Sequence, residues 1–328
     1  MMDVQEKAQE FRRVYGSVKE VIQQFIVGHE EVIDGVLSCL FAGGHALLEG
    51  VPGLGKTYLV KRLAESVNLE FRRIQFTPDL MPADIVGTNM VVEDKSGGRI
   101  FQFQRGPVFS NILLADEINR ATPKTQSALL EAMQERSVTA GGSTHKLDEP
   151  FVVLATQNPI EMEGTYPLPE AQLDRFMLKL IVSFSSREEL ITILDRTTEG
   201  ATQPAEKVID GREIMVWRGF VSQVVVAEHV KDYAARLVLA SHPTSPYATD
   251  AVKRYLRYGA SPRGAQVLVM TGKVRALLAG RYNVSFDDMA AMLLPALRHR
   301  LILNFEGEAA GMKSDTILEE LLKTVQEA

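Results

Sequence analysis

The eight residues Gly50-Val51-Pro52-Gly53-Leu54-Gly55-Lys56-Thr57 constrain this chain more than any other segment. They follow the apolar run Ala46-Leu47-Leu48-Glu49 and lead into the amphipathic stretch Thr57–Ser66. A strand, a glycine-rich turn and a helix in that order let backbone N–H groups converge on phosphate oxygens, while the helix presents its positive end. The spacing gives Lys56 the reach to β- and γ-phosphates and puts the Thr57 hydroxyl on Mg²⁺. Tyr58, next along the helix, joins the expected nucleotide contacts.

A second element supplies acids. Ile112-Leu113-Leu114-Ala115 is an apolar strand ending in Asp116-Glu117. Asp116 is positioned to hold the metal, and Glu117 to polarise an attacking water as general base. An acidic pair after a strand is by itself often a turn or a helix cap; its partnership with the phosphate loop reverses that reading. No Asn-Lys-x-Asp guanine-reading motif occurs, which favours ATP over GTP.

Around these elements the first half alternates short apolar runs with helical patterns, the signature of a layered α/β domain. Five runs are expected as parallel strands: His45–Glu49, Phe71–Gln75, Asn111–Asp116, Phe151–Thr156 and Met177–Phe184. Two inserts, Asn89–Phe103 around Gly97-Gly98 and Arg136–Leu147 around Gly141-Gly142, are expected as hairpins or tight loops. After about Ser185 strand signals fade. Helices are expected over Arg187–Thr197, Gly211–Val226, His229–Ser241, Pro262–Leu278 and Phe286–Leu301, with an amphipathic tail from Ser314. The division is thus a core over 1–185 and an all-helical second domain over 186–328.

At 328 residues and a net charge of −6, the chain lacks the basic stripe expected of a nucleic-acid binder. No apolar run approaches the roughly 18 residues that cross a bilayer, and the charged N-terminus lacks a secretory pattern. Cys39 is the single cysteine, and six scattered histidines have no zinc spacing. A cytoplasmic location is the expectation.

Several longer runs carry a family resemblance. Gly50–Thr57 and Leu113–Arg120 resemble Walker A and Walker B of the AAA+ ATPases. With Lys124–Glu135, Ala155-Thr156-Gln157-Asn158-Pro159 and Leu173-Asp174-Arg175-Phe176, they are similar to the MoxR branch, from about Val21 to the end. The resemblance implies a P-loop core with a helical lid, Mg-ATP hydrolysis, and a hexameric ring that remodels or matures a client protein complex. It implies sensor 1 at Asn158, the arginine finger at Arg175 and sensor 2 at Arg263, within Ser261-Pro262-Arg263-Gly264. A cation in the first turn of a helix opposes its dipole, so an anion is expected beside Arg263; a nucleotide phosphate suits. Val27 and Gly28 match a segment near adenine, although an ordinary helix-start turn fits equally. Residue by residue, the plainer alternatives stand too: Asn158 as a turn former, Arg175 as partner of Asp174, Arg120 as a local cap. Gly264 stands where alanine is frequent in relatives. The two inserts match the helix-2 insert and the hairpin before sensor 1, and Phe101 and Phe103 are pore, partner or local packing contacts. The von Willebrand A domain often associated with the family would act in trans. Outside this reading stand a nucleotide-gated binding module and a DNA-associated motor.

Overall fold

The computed structural model describes residues 4–93, 98–159, 164–198 and 204–325. The helices are α1 (Val4–Gln23), α2 (Glu30–Ala42), α3 (Lys56–Ser66), α4 (Pro82–Val86), α5 (Pro123–Glu135), α6 (Glu170–Leu173) and α7 (Arg187–Thr198), then α8 (Gly211–Ser222), α9 (Glu228–Ala240), α10 (Asp250–Tyr255), α11 (Pro262–Leu278), α12 (Phe286–Leu297), α13 (Phe305–Ala309) and α14 (Ser314–Thr324). The strands are β1 (Ala46–Glu49), β2 (Phe71–Gln75), β3 (Gly87–Glu93), β4 (Arg99–Arg105), β5 (Ile112–Asp116), β6 (Ser137–Ala140), β7 (Ser143–Lys146), β8 (Val152–Gln157), β9 (Leu178–Ile181), β10 (Leu256–Tyr258) and β11 (Ile302–Leu303).

Alternating side chains bury both faces of one sheet. Its order is β2-β5-β8-β1-β9, every pairing parallel, with Leu154 opposite both Leu114 and Ala46. Ala46, Leu48, Ile112, Leu114, Val152 and Leu154 join the core formed with α1, α2, α3 and the C-terminal helices. Leu47, Leu113, Ala115, Val153 and Ala155 point the other way, into a core closed by Ile85, Leu129, Leu130 and Met133. The five strands expected from sequence are these five.

His45 ties three elements together at the start of β1. Its Nδ1 accepts the Val153 N–H at 2.9 Å, so Nε2 carries the proton and donates to the Met133 carbonyl at 3.2 Å. Full burial holds its pKa down at about 4.

Both inserts are antiparallel hairpins, β3–β4 and β6–β7; residues 94–97, including the expected Gly97 turn, lie outside the described residues. Phe103 stacks on His145 with centroids 4.1 Å apart, whereas Phe101 is 77% exposed. In the second half, α8 stops at Ser222 because Val225 hydrogen-bonds with Tyr282 and Val284 instead. Helix α12 stops at Leu297, two residues past its internal Pro295. The second half is helical as expected, with one addition: β10 and β11 pair as a small antiparallel ribbon, begun where α10 gives way to extended backbone at Leu256. Among the described residues no helix is long and apolar enough to cross a membrane.

Candidate active site

The C-terminal ends of β1, β2, β5 and β8 meet at one edge of the sheet, where open parallel sheets hold ligands. Residues 50–55 leave β1 there and run into α3. Gly53 and Gly55 have φ of 82° and 75°, and a Cβ on either would meet nothing within 4 Å. Left-handed backbone, not crowding, therefore calls for glycine at both. Lys56 Nζ donates to the Gly50 and Val51 carbonyls, the latter at 3.1 Å. Burial pulls its pKa below the usual lysine range, while Asp116, Glu117 and Glu49 pull it back up.

One hydroxyl orders both acids. Thr156 Oγ1 donates to Asp116 Oδ1 at 2.5 Å and accepts the Glu117 N–H at 2.8 Å. Asp116 Oδ2 also accepts from Arg73, 2.7 Å from Nη2. Glu117 sits at φ 55°, a conformation that costs a non-glycine residue of order 1–3 kcal/mol. Its Oε2 accepts from Gln75 Nε2 at 2.7 Å and Arg120 Nη1 at 2.9 Å. Lys56, Thr57, Arg73, Gln75, Asp116, Glu117, Thr156 and the buried Asn158 line a cavity of about 450 Å³. No group of three metal-ligating side chains occurs among the described residues. The Thr57 hydroxyl and the Asp116 carboxylate are hard oxygen donors in the lining of this cavity. That set suits Mg²⁺ arriving on a polyphosphate, which needs few protein ligands.

A second cavity, about 750 Å³, shares Gly53, Leu54, Gly55 and Tyr58 with the first. Phe25, Ile26 and Val27 line it from the end of α1, and Phe184, Leu190 and Ile193 from the start of the second half. Gly28 lies against the Glu189 carboxylate, and its φ of 69° is the left-handed backbone that favours glycine. The Arg62 guanidinium lies 4.3 Å over the Phe25 ring and 4.7 Å over that of Tyr58, and fixes both. This apolar slot beside a phosphate loop has the chemistry of a purine site.

Arg175 and Arg263 are elsewhere. Both line a third cavity, about 400 Å³, with Gly43, Gly44, His45, Arg136, Asp174 and Arg300. Gly43, Gly44 and His45 precede β1, Asp174 and Arg175 precede β9, and Arg136 follows α5, so this cavity lies at the N-terminal edge of the sheet, with Arg263 and Arg300 reaching it from the second half. From Gly44 to Gly50 the extended chain covers roughly 20 Å at about 3.3 Å per residue. Arg263 is therefore not over this chain's own phosphate loop. Ser261 caps α11 with its Oγ, but the anion beside Arg263 is the Asp174 carboxylate, 3.5 Å from Nη1. At Gly264 a Cβ would lie 2.7 Å from Leu297 Cδ2, so the glycine permits tight packing there.

Sequence reasoning missed Arg62, Arg73, Gln75, Thr156, Arg136 and Arg300. Arg73 and Gln75 left a signal, as polar residues toward the end of a strand; the others came from folding alone.

Comparison with known proteins agrees with this architecture. Residues 45–178 match the family described as ATPase family associated with various cellular activities (AAA), and residues 248–321 match the AAA lid domain. Chaperone MoxR1 of Mycobacterium tuberculosis is 41% identical over 305 residues, 93% of this chain and 80% of that protein. YeaC of Bacillus subtilis is 40% identical over 95% of this chain and 94% of its own. A crystal structure from Cytophaga hutchinsonii superposes with a TM-score of 0.91 at 41% identity, covering 98% of this chain and 97% of that one.

Proposed function

Because the chain belongs to the MoxR family of AAA+ ATPases, we propose that it hydrolyses Mg-ATP at sites shared between neighbouring copies in a ring. The observation that carries this reading is the split between edges: Lys56, Thr57, Asp116, Glu117 and Asn158 at one, Arg175 and Arg263 at the other. The two arginines reach a γ-phosphate only on a neighbouring copy. Glu117 takes the proton of the attacking water, Asn158 orients that water, and Lys56 holds the transferring phosphoryl. Thr57 and Asp116 would hold Mg²⁺, and the ion would supply compensation for charge on the phosphate oxygens. The purine sits in the slot of Val27, Phe25 and Tyr58. Arg175 of the neighbour supplies a finger, an effect of about 10³–10⁵ in rate. The cycle drives chaperone-like remodelling of a client complex, a role that follows the name of the mycobacterial relative.

The test is ATP turnover across a protein-concentration series with mass measured in parallel. Turnover per subunit climbs with assembly. Tight ATP binding with turnover that is flat from monomer to oligomer sinks the shared site and leaves a nucleotide-gated binding module.

A further inference from the structure

A buried arginine from the C-terminal domain grips the backbone that carries Arg175. The Arg300 side chain is 1% exposed. Its Nε donates to Asp174 Oδ1 at 2.8 Å, and its Nη2 to the carbonyls of Asp174 at 3.1 Å and Phe176 at 2.8 Å. Its Nη1 lies 3.3 Å from the Met177 carbonyl. The guanidinium thus brackets Arg175 on both sides in sequence. From the same domain, Ser261 Oγ lies 2.9 Å from both oxygens of Asp174 and donates its one proton to that carboxylate.

This arrangement demands more than packing. A charge withdrawn from water is costly unless its hydrogen bonds are met, and an aliphatic side chain would fill the space more cheaply. A planar fork with several donors can span a carboxylate and successive carbonyls at once, which a lysine cannot. The contacted segment, Asp174–Met177, lies between α6 and β9 and holds Arg175 itself only half-buried. Gly264 lets the first turn of α11 approach Leu297 and Arg300, so Arg263 shares the same anchor.

We infer that Arg300 is a positioning residue that fixes Arg175 for the neighbouring copy's nucleotide, so that the C-terminal domain governs the finger a subunit offers and not the site it owns. The inference rests on the shared-site reading above. Arg300→Lys keeps the charge and loses the fork. The assembled variant turns over ATP about 10²-fold more slowly, the scale of a misplacement of about 1 Å, while its own ATP affinity stays at the wild-type value. Mixing decides between positioning and general damage. Glu117→Gln subunits have a dead site of their own but an intact finger, so mixed with Arg300→Lys they restore turnover above the sum of the separate proteins. A mixture that stays inactive, or Arg300→Lys alone at wild-type turnover, overturns the inference. Arg175→Ala mixed with Glu117→Gln is the control: no recovery there means the shared site itself is wrong. If Arg300→Lys fails to fold, Asp174→Asn, which keeps the shape and weakens the same grip, is put through the identical mixing and must behave alike.

Discussion

The two edges of the central sheet carry opposite kinds of site. At the C-terminal edge, glycine backbone, one lysine and two acids are delivered by two contiguous segments, Gly50–Thr57 and Asp116-Glu117, with Asn158 following β8. At the N-terminal edge, Arg136, Arg175, Arg263 and Arg300 come from four separate parts of the chain; Arg263 and Arg300 share the acid Asp174, and Arg136 pairs with Glu149. The first edge is built by local geometry and the second by tertiary packing. Strain marks both: Glu117 and Arg136 are each non-glycine residues in left-handed backbone, at φ 55° and 49°. That conformation is costly enough to persist only where surrounding structure imposes it.

Loss of the finger tests the contrast most severely. Arg175→Ala should lower turnover of the assembled protein by about 10³–10⁵ and leave ATP affinity of the separated subunit unchanged, as measured by calorimetry. An equal loss of affinity breaks the separation of the two edges. Glu117→Gln should cost about 10²–10⁴ in turnover, also with binding retained; hydrolysis at the wild-type rate removes Glu117 as base.

These expectations also mark what was legible in the sequence. The phosphate-loop pattern, the acidic pair and the five strands each rest on neighbours in the chain and have a spacing that can be read, whereas Asn158 came from the family resemblance alone. The placement of Arg263 was not, because its α11 site looks the same whether Asp174 or a phosphate provides the anion. Arg300 carried no local signal at all: it follows α12 and finds its partners more than a hundred residues away, on the segment 174–177. The β10–β11 ribbon was equally hidden, since three-residue and two-residue strands are shorter than any period can report.

A smaller effect probes the footing of the N-terminal edge. His45 is neutral when buried, and a second proton would point an N–H at the Val153 N–H. Its folded pKa, about 4, lies below the ordinary histidine value of 6.5, so the unfolded chain binds the proton first as pH falls. The stability from this group is whole above about pH 6.5 and declines by about 1.4 kcal/mol per unit toward pH 4. Urea midpoints at pH 7.5, 6 and 5 would measure this; a flat series would mean that His45 is not held neutral. The mildest change is expected at the purine slot. Arg62→Met removes the cation over Phe25 and Tyr58, worth about 0.5–2 kcal/mol, and should raise the KM for ATP with kcat unchanged. A fall in kcat instead would tie the slot to the chemistry at the phosphates.

The parallel sense of the five strands has a consequence for counting. If copies join with the arginine edge of one against the phosphate edge of the next, each contact is heterologous, with a front and a back. An open row then always leaves one set of arginines with nothing to serve and one phosphate loop unserved, however long it grows. Only closure uses every half, so the last copy to join completes two seams at once. A single poisoned copy silences different seams according to its lesion: its own when Glu117 is lost, its neighbour's when Arg175 is lost.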